Sequence, residues 1–247
     1  MFRRNRPLAV AAEEENPFHL SFADIMSGLL ILFILSSLAL IWELKDTQKS
    51  VTQAIQSIAA AEQIRSELIS EIAVDLAEQG IVVEVSDNHS VMRIPDTTLT
   101  FPTNEYTLPD TPEMQKAVAE IARVLYQAIT KGERYRFIDT ASIEGHTDIR
   151  PTSRQGGNER LSSDRAITVW TAWNQALPAG KTLRDLRNAE GKPLFSFSGY
   201  GSTRPVQAIQ RTEEDFQKNR RIDVRFTVRR PALEEYETIR NLIGDWP

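Results

Sequence analysis

One ionisable residue, Asp24, stands in the stretch FADIMSGLLILFILSSLALIW, which runs from Phe22 to Trp42. After it no charged side chain follows until Glu43. An aspartate at the centre of a membrane helix costs ~2.5–3.5 kcal/mol to insert, and burial favours the neutral form of a carboxyl group. An acid in oil that water reaches from one side can bind a proton there and release it on the other. A charge crossing 100 mV is worth ~2.3 kcal/mol, several times the thermal energy, so repeated transits are enough to drive a conformational cycle. The bland alternative is an acid close enough to the helix end to reach bulk water and do nothing.

Asp24 needs a helix to hold it. Asn16 followed by Pro17 reads as an N-cap and a first-turn proline. At ~1.5 Å per residue, a helix over residues 17–44 spans a ~30 Å hydrocarbon core. A signal peptide is disfavoured, because the apolar run is long, follows an acidic EEE and ends in IWELKD without a small-residue cleavage site. Arg3, Arg4 and Arg6 precede the helix, while Glu43, Lys45, Asp46 and Lys49 follow it with no positive excess. The positive-inside rule then puts residues 1–16 in the cytoplasm as a short arm and the rest outside. The expected location is the bacterial inner membrane, crossed once, with a periplasmic C-terminal domain.

Beyond the membrane, Val51, Ile55, Ile58, Ala61, Ile64, Leu68, Ile72 and Leu76 recur at steps of three or four, and Gly80 supplies a stop. This predicts an amphipathic linker helix within residues 45–80. Its narrow stripe suits a coiled-coil seam with a second copy, or else packing on the chain's own domain. From Ile81 the texture becomes short strands and helices. A hairpin turns at Asp87 and Asn88, a helix starts at Thr111 and Pro112, and a strand runs into EGHTD. A helix follows over ERLSSDRAITVWTAWNQAL, and the last strand, NRRIDVRFTV, points Ile222, Val224, Phe226 and Val228 inward. The class is α+β, with helices on one face of a small sheet over residues 81–230, and a tail over 231–247 that adds at most a short helix.

GHTD, NERLSSDRAITV, GYGSTRPV and NRRIDVRF, in that order, resemble the signature of the OmpA-like peptidoglycan-binding domain, which implies a βαβαβ sandwich. The loop between Asp148 and Asn158 is about two residues longer than is usual in that family. FADIMSGLLILFIL separately resembles the membrane segment of MotB, the flagellar stator B subunit, and the whole is most similar to the stator-like subunits of Zorya anti-phage defence systems. The resemblance implies a proton-driven rotary motor, with Asp24 relaying ions beside a MotA-like multi-span subunit. It also implies a homodimer fixed to the cell wall.

Peptidoglycan stem peptides of Gram-negative bacteria carry diaminopimelate, whose side-chain end is a zwitterion. The resemblance assigns its recognition to Asp148, for the ammonium, and Arg165, for the carboxylate. Thr147, Asn158, Leu161 and Arg221 would line the pocket, with Asn158 also suited to cap the helix. Against this, Asp148 and Arg165 could pair with each other, Leu161 could face the core, and Arg220 with Arg221 could form a solvated strand end. Three scattered histidines and no cysteines give no metal-ligand spacing, so His146 is not expected to bind a metal. No nucleophile–base pair is visible. The expectation is no enzyme, no cofactor and no nucleic-acid partner. A flagellar stator subunit and a passive envelope tether are the alternatives to a defence motor.

Overall fold

The computed structural model describes residues 17–229. The arm at 1–16 with its Asn16 cap, and the tail at 231–247, lie outside the described residues. The remainder divides into two compact units, with the boundary after Gln53.

Helix α1 is Pro17–Glu78, so the membrane and linker helices expected separately are one element. No proline or glycine interrupts it between Gly28 and its end, which leaves the backbone no reason to break there. Among the described residues it alone is long and apolar enough to cross a membrane, and the side chains from Phe22 to Ser36 are exposed. Its end is chemically defined. Gly80 takes a left-handed φ of 75°, its N–H reaches the Ala77 carbonyl at 3.0 Å, and the Ile81 N–H reaches that of Leu76 at 2.9 Å. These two bonds satisfy carbonyls the last turn would otherwise leave open.

The second unit holds a five-stranded sheet. β1 (Glu84–Ser86), β2 (Val91–Pro95), β3 (Ile138–His146), β4 (Phe195–Gly199) and β5 (Arg221–Val228) lie in the order β1-β2-β5-β3-β4. Only β3 and β4 run parallel, and the last strand is inserted between β2 and β3. The expected hairpin forms between β1 and β2, with Asp87, Asn88 and His89 all at positive φ. Helix α2 (Pro112–Thr130) starts as expected, with the Thr111 side chain accepting from the Met114 N–H. Helices α3 (Gly157–Ala176) and α4 (Glu213–Asn219) follow. The sequence reading passed over α4, although Thr212 and Asp215 form a reciprocal capping box there.

Period-two alternation splits the sheet into two chemistries. One face carries Met92, Ile94, Ile143, Ile222, Val224 and Phe226, buried together with Ile121 and Leu125 of α2 and Val169 and Trp173 of α3. The same core takes in Leu68, Ile69, Ile72 and Leu76, all fully buried. This corrects the dimer-seam expectation for the C-terminal half of the linker stripe. Those side chains cover the chain's own sheet domain, because each gains ~1.5–3 kcal/mol by leaving water there. Upstream, Ile55 remains exposed.

Candidate functional site

Two glycines set the distance between α3 and the sheet. A Cβ on Gly145 would sit 2.0 Å from the Ser162 carbonyl oxygen, and one on Gly199 would sit 2.3 Å from the Ser163 amide nitrogen. Only bare backbone at the ends of β3 and β4 lets α3 come so close, which carries Asn158, Leu161 and Arg165 to the loop after β3. There they meet Thr147 and Asp148 in a cleft of about 620 Å³. Five of the six residues expected at a wall-binding pocket therefore share one cavity.

The sixth does not. Arg221 is buried on the opposite face of the sheet, donating from Nε to Asp223 Oδ2 at 3.0 Å and from Nη2 to the Arg204 carbonyl at 3.0 Å. Its neighbour Arg220 lines the cleft instead. Adjacent residues of an extended chain point to opposite sides, so a one-residue choice between two arginines decides everything. Asn158 is corrected too. Gly156, at φ 90°, occupies the cap position, and the Asn158 amide donates to the carbonyls of Arg150 at 2.9 Å and Asp148 at 3.4 Å, tying down the loop.

Asp148 and Arg165 do not pair with each other. The Asp148 carboxylate accepts from the Arg150 backbone N–H at 2.9 Å, from Arg150 Nη2 at 2.6 Å and from Arg220 Nη1 at 3.0 Å. Burial works to raise its pKa, but the hydrogen bonds from Arg150 and Arg220 prevail and hold it below the ordinary aspartate value. Asp96, which takes two bonds from Arg220 at 2.8 and 3.0 Å, is driven the other way, because burial there outweighs the guanidinium. Arg165 is 4% exposed, and its Nε donates to the Glu105 carbonyl at 2.9 Å while its plane lies 4.9 Å from the Phe101 ring. Burial lowers its pKa to about 10, so it stays charged at neutral pH. Among the described residues it has no carboxylate partner within ion-pair distance. A buried guanidinium held by neutral carbonyls is a ready receptor for an anion.

The residues the sequence reading missed are Asp96 and Arg150, from the loops after β2 and β3, and Glu213 and Arg220, from the two ends of α4. A second grouping was also invisible in the sequence. The pairing of Glu144 with Asp223, and of His146 with Arg221, brings Glu144, His146 and Asp223 together with ligand atoms within 4.8 Å of one another. Its carboxylates are already held. Asp223 pairs with Arg93 and Arg221, and Glu144 pairs with Arg225, each at 3.0 Å. Three guanidiniums occupy the positions from which a cation would draw charge, so the cluster reads as a buried ionic layer.

In the first unit, Asp24 shares a helix face with Ser27 and Gly28, and the Ser27 hydroxyl donates to the Ala23 carbonyl at 2.7 Å.

Residues 100–220 match the OmpA family. A putative MotB-like protein from Desulfovibrio vulgaris has the same fold at a TM-score of 0.50, with 19% identity over 72% of this chain and 99% of that one. The periplasmic domain of Helicobacter pylori MotB aligns at a TM-score of 0.48, with 22% identity, covering 66% of this chain and 91% of its own. The chain thus joins an apolar helix to a sheet domain with an OmpA-like, MotB-like fold. Over 220 residues the chain is also similar to the Zorya protein ZorB of Escherichia coli O139:H28, at 29% identity, covering 86% of this chain and 81% of that protein.

Proposed function

We propose that this chain is the wall-anchored B subunit of a proton-driven, MotA/MotB-like rotary motor serving Zorya anti-phage defence. The observation that carries the reading is one cleft in which the buried carboxylate Asp148 and the carboxylate-free guanidinium Arg165 lie together. A zwitterionic diaminopimelate end offers the complement to both. Thr147, Asn158 and Leu161 shape the cleft, and Arg220 takes the place expected of Arg221.

In this reading residues 1–16 lie in the cytoplasm, 17–44 cross the inner membrane, and 45–80 lead to the periplasmic domain at 81–230. Two copies would pair through the upstream part of the linker stripe, where Ile55 is exposed, and through the sheet domains. One helix cannot shield an acid from lipid, so Asp24 requires surrounding membrane helices, supplied by a MotA-like partner of the ZorA kind. With this subunit pinned to the wall, the partner subunits around its membrane helix would be free to turn. The deciding experiment is Asp24→Asn in cells that depend on the system for phage resistance. Lost resistance at unchanged protein level is expected, whereas retained resistance would reduce the protein to a passive tether.

A further inference from the structure

We propose that Arg150 makes the cleft select a zwitterionic end group over a bare cation, an inference that rests on the cleft being the wall-binding site. The Arg150 guanidinium holds both oxygens of Asp148, Nε donating to Oδ1 at 3.2 Å and Nη2 to Oδ2 at 2.6 Å, beside the 2.9 Å bond from its backbone N–H to Oδ1. An arriving ammonium reaches that carboxylate only by displacing this guanidinium. Arg150 is the partner able to yield, since its side chain is 47% exposed, whereas Arg220 is 17% exposed and is also tied to Asp96 and Glu213.

The displaced group has somewhere to stay. Its Nη1 pairs with Glu213 at 2.9 Å and its Cζ lies 4.2 Å from the Phe216 ring centroid, so it remains charged at the rim, on an acid that it shares with Arg220. The charged residues lining the cleft are three acids, Asp96, Asp148 and Glu213, and three bases, Arg150, Arg165 and Arg220. A bare ammonium would leave that balanced set with a surplus positive charge. A zwitterion restores the balance, because its carboxylate accepts from the freed Arg150 and from Arg165. Arg150 thus acts against any cation that does not bring an anion with it.

The test uses the full chain in detergent, sedimented with diaminopimelate-containing sacculi and competed by meso-diaminopimelate or by Nα-acetyl-lysinamide, whose side chain is a bare ammonium. Wild type should be displaced far more readily by the diaminopimelate. In Arg150→Ala the lysine derivative should compete about tenfold better relative to diaminopimelate, the worth of one charge-assisted hydrogen bond. Arg150→Gln, which keeps a donor and loses the charge, should shift the ratio the same way and serves if the alanine variant unfolds. An unchanged competition ratio in a folded Arg150 variant overturns the proposal. Asp148→Asn separates the two ideas: sacculus binding retained there refutes the site itself, whereas binding lost there with an unchanged Arg150 ratio refutes only the selectivity.

Discussion

In the proposed function, Arg165 is the side chain on which wall recognition most depends. It is buried, charged and satisfied only by neutral carbonyls. Removing it should cost little in folding contacts to acids and much in anion binding. Arg165→Ala is therefore expected to lower sacculus binding at least tenfold, by ~1.5–3 kcal/mol, the strength of a hydrogen bond to a charged group. Co-sedimentation as strong as wild type would refute that role. His146 carries a different prediction. Burial first, and then the Arg221 charge, lower its pKa from 6.5 to about 3, against the pull of Asp223. Between those values the unfolded chain binds a proton that the native chain refuses, so stability must fall as pH drops from 6.5 toward 3. The slope is at most ~1.4 kcal/mol per pH unit for this group. Urea unfolding of His146→Asn between pH 7 and 5 should show a flatter dependence than wild type, and equal slopes would contradict the neutral histidine.

At the scale of elements, the last turns of α1 and the close approach of α3 set the geometry. Ile72 is fully buried against the sheet domain, so Ile72→Ala should destabilise it by ~2–5 kcal/mol, read as a lower midpoint in urea. If the stripe instead served a second copy, the loss would depend on protein concentration; for intramolecular packing it should not. Gly199→Ala drives a methyl to within 2.3 Å of the Ser163 backbone, and α3 cannot yield without moving Arg165. The expected result is weaker sacculus binding together with a lower melting temperature. A variant that melts like wild type and binds like it would show that this contact does not position the site.

Across the whole chain, local patterns were enough for much of the architecture. An apolar run with one acid marked the membrane helix, the Thr111 and Pro112 pair marked the start of α2, and alternation in IDVRFTV marked β5. Those features depend on neighbours in sequence, which is why they can be read there. Asp148 and Arg165 were legible through ordered motifs, and the cleft does bring them together. Which arginine of the NRR run faces the cleft, what holds Asp148, and whether the linker stripe meets another copy or its own domain depend on strand register and on the insertion of β5 between β2 and β3. Those are contacts between residues far apart in the chain, and the alternation of a strand cannot announce its partner. The amino-acid order determined which groups are present and on which elements; only the folded sheet decided which charges face one another, because pairing across strands is set by the competition of all long-range contacts at once.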